Sequence, residues 1–209
     1  METVKIETPL DAKMLCIKAH EGQFRKEYTL NGQEFLDYGE EVKLNRRYHP
    51  TNSVILSDGS RYKLNGSQSI EKPYSTHPIA VAEMMTTDNM KMIAYLHDVV
   101  EDCKDYHFNV ETKYIHNRRV KTFSILFNQE TKYELNGNVG ECLQELTKID
   151  KYQSYQEYIQ NICEHSTEIR NVCVKVKIAD ITSNLADNPS EHAKKKYLLA
   201  MKTLLDTIS

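Results

Sequence analysis

The stretch Met92-Ile-Ala-Tyr-Leu-His-Asp-Val-Val-Glu-Asp102 decides how this chain is read. Ile93, Leu96, Val99 and Val100 recur at helical spacing and predict a helix with an apolar side. Set into that side are His97, Asp98, Glu101 and Asp102. His97 and Glu101 are four apart, as are Asp98 and Asp102, so each pair falls on adjacent turns. One imidazole and three carboxylates thereby share a facet. A helix that needed only solubility would carry its charges opposite the apolar stripe. Imidazole with carboxylate is a ligand set for a divalent metal, and carboxylates left over can position or deprotonate a water. An ordinary acidic helix end is the competing account.

Whole-chain numbers bound the classes available. A length of 209 residues suits one domain with a sizeable core. Hydrophobic residues at 40% and charged residues at 27% indicate a globular chain. A net charge of −3 argues against a broad nucleic-acid surface. The short basic runs at Asn117-Arg-Arg-Val-Lys121 and Lys194-Lys-Lys196 fit solvated faces. Five cysteines, an odd number with no CxxC spacing, are expected to be reduced and mostly buried, as in a cytoplasmic protein. No apolar run approaches membrane-spanning length, and the first residues lack the basic-then-apolar pattern of a signal peptide.

Outward from the central stretch, helical and strand signals alternate. Residues 9 to 21 predict a first helix, ended by Gly22. Arg25 and Lys26 follow it. Between 28 and 72, turn signals replace helical spacing: Asn31-Gly32, Asp58-Gly59 and Asn65-Gly66. Ser53 to Ser57 and Arg61 to Leu64 flank Asp58-Gly59 as short strands. Pro78 suits the first turn of a helix with His77 at or next to its N-cap, where the ring can meet a ligand or simply cap. The central helix is expected over 88 to 104. Thr122 to Phe127 and Thr131 to Leu135 predict a second hairpin. Residues 168 to 186 predict a long helix in which Asp180 lies amid Ile178, Ala179 and Ile181. A carboxylate in apolar surroundings needs a cation or donors. Asn184 follows one turn on. The last helix, about 191 to 207, is expected to pack in the core.

Four blocks, taken in order, carry a resemblance. Ala19-His-Glu-Gly-Gln-Phe-Arg-Lys26, Tyr74-Ser-Thr-His-Pro78, Leu96-His-Asp-Val-Val-Glu-Asp102 and Lys177-Ile-Ala-Asp-Ile-Thr-Ser-Asn-Leu185 resemble the HD-domain phosphohydrolases. Among these they are most similar to the hydrolase domain of the Rel/SpoT alarmone enzymes and their stand-alone small relatives. The family often has arginine where this chain has Ala186, and its link between the first two blocks is short.

The resemblance implies a mainly α fold. That is an HD-domain helical bundle; the length reads as a single domain over 1–209, and the turn signals read as two β-hairpin insertions at about 28–72 and 118–137, which the four blocks leave unmatched. The resemblance also implies one Mn²⁺ held by His77, His97, Asp98 and Asp180. Glu101 and Asp102 would orient and activate the attacking water. Arg25 would stack on the guanine base, helped by Lys26, and Asn184 would contact the nucleoside. The reaction implied is hydrolysis of the 3′-pyrophosphate of (p)ppGpp to GDP or GTP and pyrophosphate. The expected partner is this nucleotide, with neither nucleic acid nor membrane. An HD-type nucleotidase acting on another nucleotide, or a silent binding module, are the alternatives. Intact Glu101 and Asp102 speak against the silent module.

Overall fold

The structure is a computed structural model and describes residues 1–23, 28–29, 48–49, 53–55, 61–65, 69–71, 73–115, 118–148, 153–187 and 189–208. The chain forms two compact units. One joins Met1–Ala19 to His77–Ser209, and the other is His20–Thr76.

In the second unit, five short strands are described: β2 (Tyr28–Thr29), β3 (Tyr48–His49), β4 (Ser53–Ile55), β5 (Arg61–Asn65) and β6 (Ser69–Glu71). They pair antiparallel in the order β2-β6-β5-β4-β3. β4 pairs with β5 as the Asp58-Gly59 signal predicts, with Val54 opposite Tyr62.

The first unit begins with β1 (Glu2–Ile6) and α1 (Pro9–Ala19). Gly22, at φ +76°, follows α1 in the left-handed conformation that glycine adopts without a Cβ penalty. Three helical segments come next: α2 (Thr76–Glu83), α3 (Asp88–Leu96) and α4 (Val99–Asp102). Thr87 caps α3 by accepting from the Met90 N–H at 3.3 Å. Strands β7 (Tyr106–Ile115), β8 (Arg118–Phe127) and β9 (Thr131–Leu135) lead to helices α5 (Gly137–Leu146), α6 (Tyr155–Glu164), α7 (Thr167–Ala186) and α8 (Glu191–Ile208).

The expectation of a mainly α, HD-domain helical bundle with two inserted hairpins does not hold. The chain is α/β, because β1, β9, β8 and β7 form one four-stranded mixed sheet. The segment around 118–137 lies in the middle of that sheet. β7 pairs with β8 over ten positions, from Tyr106 opposite Phe127 to Ile115 opposite Arg118. β1 lies parallel to β9, with Glu2 opposite Thr131 and Ile6 opposite Leu135. Hairpins announce themselves by a turn. A parallel partner reached by a long crossover leaves no local signal. The β8–β9 hairpin was legible, and its turn holds Asn128 at φ 47° and Gln129 at φ 60°.

Side chains alternate across the sheet. Phe123 and Ile125 on β8, with Tyr133 on β9, are buried toward the helices. The other face carries Lys132, whose ammonium sits 3.2 Å from the Glu111 carboxylate. The helical side contributes Val81, Ile93, Leu96, Leu143, Val174 and Ile181 to one continuous core. All five cysteines are free, and four are buried. Among the described residues, no helix is long and apolar enough to cross a membrane.

α5 meets the sheet at Gly140, which is buried directly against Phe123. A Cβ there would run into the Phe123 ring. Gly140→Ala gains about 1 kcal/mol of helix propensity. Overpacking against a fixed ring costs about 1–3 kcal/mol or more. A lowered midpoint in urea unfolding is therefore expected; an unchanged or raised midpoint would show that the ring yields freely.

Candidate metal centre

Three elements of the first unit deliver the ligand-type side chains. α2 brings His77, the junction of α3 and α4 brings His97 and Asp98, and α7 brings Asp180. The helix expected over 88–104 is divided at this junction. His97 Nδ1 lies 2.7 Å from the Ala94 carbonyl oxygen. In an unbroken helix that carbonyl would receive the Asp98 N–H. The imidazole meets that same carbonyl, and this contact fixes the ring.

His77, His97 and Asp98 are all buried, and one ligand atom from each lies within 4.8 Å of the others. This group could hold a metal ion. His77 Nε2 is 3.6 Å from Asp98 Oδ2, and His97 Nε2 is 3.1 Å from Asp98 Oδ1. Asp180 Oδ1 stands 3.0 Å from His77 Nε2 and 3.8 Å from His97 Nε2.

The orientation of His97 tests whether a cation fits. Nδ1 donates to the Ala94 carbonyl, so in the neutral ring the Nε2 lone pair faces the carboxylates. Among the described residues no hydrogen-bond partner meets Nε2, although the atom is buried. Asp98 Oδ1 is near but not aligned, and Asp180 Oδ1 is beyond hydrogen-bond reach. A lone pair aimed at carboxylate oxygens is satisfied by a cation between them. Burial alone would keep the ring neutral, but the Asp98 and Asp180 charges outweigh it and raise its pKa to about 9. Either a proton or a metal answers the same field.

His77 is held from its other side, with Nδ1 2.9 Å from Ser183 Oγ. Such a partner orients a metal-ligating imidazole. Asp180 is held more tightly still. Lys177 Nζ is 2.7 Å from Oδ2, and Asn184 Nδ2 donates to Oδ1 at 2.6 Å. Burial opposes the charges of both Lys177 and Asp180. Each offsets that penalty for the other: Lys177 stands well above its ordinary pKa and Asp180 well below its own. Lys177 also lies over the Tyr158 ring at 5.2 Å.

The expected facet of four polar groups is only half buried. His97 and Asp98 face the core, whereas Glu101 and Asp102 are exposed. The Glu101 carboxylate accepts from the Lys148 backbone N–H. Crowding by neighbouring atoms nonetheless raises the Glu101 pKa, against the lowering effect of that bond. Asp102 belongs to the same short helix and donates its backbone N–H to the Asp98 carbonyl at 2.9 Å.

The structure thus brings together His77, His97, Asp98 and Asp180, with Asn184 beside Asp180. The Asn184 contact shown is to Asp180. Arg25 and Lys26 lie outside the described residues. The i, i+3 spacing of Lys177 and Asp180 on a helix carries the signal of their pairing. Lys148 and Ser183 gave no comparable sign, because their roles depend on which helices meet. No protein-family model matches the chain, and no curated protein matches it.

A divalent ion that binds this folded group raises the melting temperature. The gain at 100-fold excess over Kd is about 2.7 kcal/mol. His97→Gln and Asp98→Asn should abolish the Mn²⁺-induced shift. Ser183→Ala, which frees the His77 ring, should weaken Mn²⁺ binding by about 10–100-fold. Titration followed by the spectrum of free Mn²⁺ measures both, and equal affinity in all variants would place the metal elsewhere.

Proposed function

We propose that this chain is a metal-dependent hydrolase that removes the 3′-pyrophosphate of guanosine tetra- and pentaphosphate as intact pyrophosphate. GDP or GTP is the other product. One observation carries the proposal. A buried group of two imidazoles and carboxylates, drawn from separated blocks resembling those of the alarmone hydrolases, surrounds the unsatisfied His97 Nε2.

The metal proposed is one Mn²⁺, held by His77, His97, Asp98 and Asp180. Nitrogen and oxygen donors in this mixture suit it. Bound there, the ion supplies Lewis acidity and neutralises charge on the phosphates. The other roles belong to the chain itself. Asp180 is fixed by Lys177 and Asn184, so its orientation does not depend on substrate. The buried Lys177 charge also reduces the negative charge of the group, which favours a polyanionic substrate.

Glu101 is the proposed base. Its carboxyl is raised above the ordinary value, which makes it a better proton acceptor than a fully solvated carboxylate. The oxygen of a water attacks the phosphorus attached to the ribose 3′ oxygen, and Glu101 takes the proton. The bond from that phosphorus to the ribose oxygen breaks, the oxygen is protonated, and pyrophosphate leaves. Asp102, one residue on, orients the water with Glu101. A helix turn that exposes two carboxylates beside a buried ligand group suits these roles, because substrate must reach them.

Glu101→Gln keeps the shape and loses the proton acceptor. A fall in kcat of about 10²–10⁴-fold is expected with Mn²⁺ affinity retained. Phosphorus NMR of the products of ppGpp should show pyrophosphate and GDP. Release of single phosphates, or preference for a 5′-nucleotide without a 3′-pyrophosphate, would replace this proposal with the nucleotidase.

A further inference from the structure

Three helices of the first unit meet at one tyrosine ring beside the candidate centre. Tyr155 opens α6. The Lys177 ammonium of α7 lies 5.9 Å from its ring centroid, and the Lys196 ammonium of α8 lies 4.5 Å from it. Lys177 in turn touches Asp180 at 2.7 Å. Lys196 therefore stands two contacts from a proposed metal ligand, on a separate helix. Tyr197 completes its seat. The Tyr197 centroid is 4.7 Å from the Lys196 ammonium, and the Tyr197 ring meets the Tyr155 ring edge-on at 6.2 Å.

Packing alone does not account for a second cation at this ring. Lys196 is exposed, and a ring face attracts an exposed ammonium only weakly. The ammonium has three N–H donors, and a ring face satisfies none of them as an oxygen would. Among the described residues no carboxylate forms an ion pair with Lys196, whereas Lys194 on the same helix pairs with Glu191 at 3.0 Å. Asp180 cannot serve, because its oxygens are committed to Lys177, Asn184 and His77. Partial burial and then the Lys177 charge hold the Lys196 pKa below the ordinary lysine value, Lys148 adds to this, and Asp180 opposes it. Cations gathered in this way are complemented by an anion from outside.

The chemistry of the centre says which anion. With one phosphate of a polyphosphate chain at the buried ligand group, the remaining phosphates must extend toward solvent. The carboxylates Glu101 and Asp102 at the exposed rim repel them. An exposed ammonium close to Asp180 offsets that repulsion. Lysine holds a phosphate as a point charge and needs no fixed fork geometry.

We propose that Lys196, seated on Tyr155 and Tyr197, is a substrate-binding residue that holds a phosphate of the nucleotide other than the one at the metal centre. This rests on the hydrolase reading above. The phosphate belongs to the 3′-pyrophosphate or to the 5′-diphosphate. The last of the resembling blocks ends at Leu185, so this contact lies outside them.

Three variants of the full chain test it. Lys196→Gln removes the charge, and Lys196→Arg keeps it. Lys195→Gln removes a charge from the exposed neighbouring position. Magnesium pyrophosphate and magnesium GDP are the probes, titrated calorimetrically into Mg²⁺-loaded protein. Lys196→Gln should bind at least one of them about tenfold more weakly, as expected for one lost hydrogen bond to a charged group. Lys196→Arg and Lys195→Gln should keep the wild-type affinity. A loss for pyrophosphate assigns the contact to the 3′ arm, and a loss for GDP assigns it to the 5′ arm. KM for ppGpp should rise by a similar factor in Lys196→Gln, with Mn²⁺ affinity unchanged. Equal affinity in all four proteins, an equal loss in Lys195→Gln, or no binding of either probe by the wild type overturns the contact. A loss confined to Lys196→Gln, with no ppGpp hydrolysis by the wild type, upholds the phosphate contact and removes the proposed reaction instead.

Discussion

The ion pair between Lys177 and Asp180 is the constraint around which the candidate centre is built. Both side chains are buried on α7, where an unpaired charge would be costly. Their 2.7 Å contact commits one Asp180 oxygen to the lysine. The other oxygen faces the two imidazoles. A carboxylate pinned in this way cannot rotate to suit its neighbours, so His77 and His97 are arranged around it. Tyr155 and Tyr158 lie under the Lys177 ammonium, which keeps a cation in a place closed to bulk water.

A second constraint acts on the opposite wall. The contact from His97 to the Ala94 carbonyl lies where the central helix is divided, beside the ligand-type residues. It leaves Nε2 as the free end of the ring. The break also separates two roles that the sequence places on one facet. His97 and Asp98 turn inward, and the short α4 carries Glu101 and Asp102 to the surface. A continuous helix could not so readily bury one pair and expose the next. Glu101 lines a cavity beside β7 and is tethered by the Lys148 backbone.

Much of the local structure was legible. The first helix and its glycine end, the β4–β5 pair, the β8–β9 hairpin and the long α7 each carry a signal within a few residues. The four ligand-type side chains could be named because each breaks an apolar helical pattern with a group that needs a partner. Their convergence was an expectation that only the packing of α2, α3 and α7 could meet. The fold class is not legible in the sequence, for a definite reason. β7 alternates as a strand should, from Phe108 to Tyr114, yet its neighbours gave no turn that would assign it to a sheet. β1 is five residues of alternation whose partner lies beyond seven further strands and four helices described in the chain.

By itself, the sequence determined the chemistry on offer: two histidines and several carboxylates set in apolar helices, with no disulfide frame suggested by the cysteines. Short-range periodicity and capping are enough for that, because they act between residues a turn apart. The tertiary structure decided everything that depends on distant segments meeting. It made β1 and β9 neighbours, turned side chains from three elements into one buried group, and paired Glu101 with the Lys148 backbone. It also opened a cavity beneath β7 that no single segment contains. Burial is the physical reason for the division. A carboxylate in the sequence is only a charge, and its pKa, its partners and its reach are set by whatever the fold packs around it.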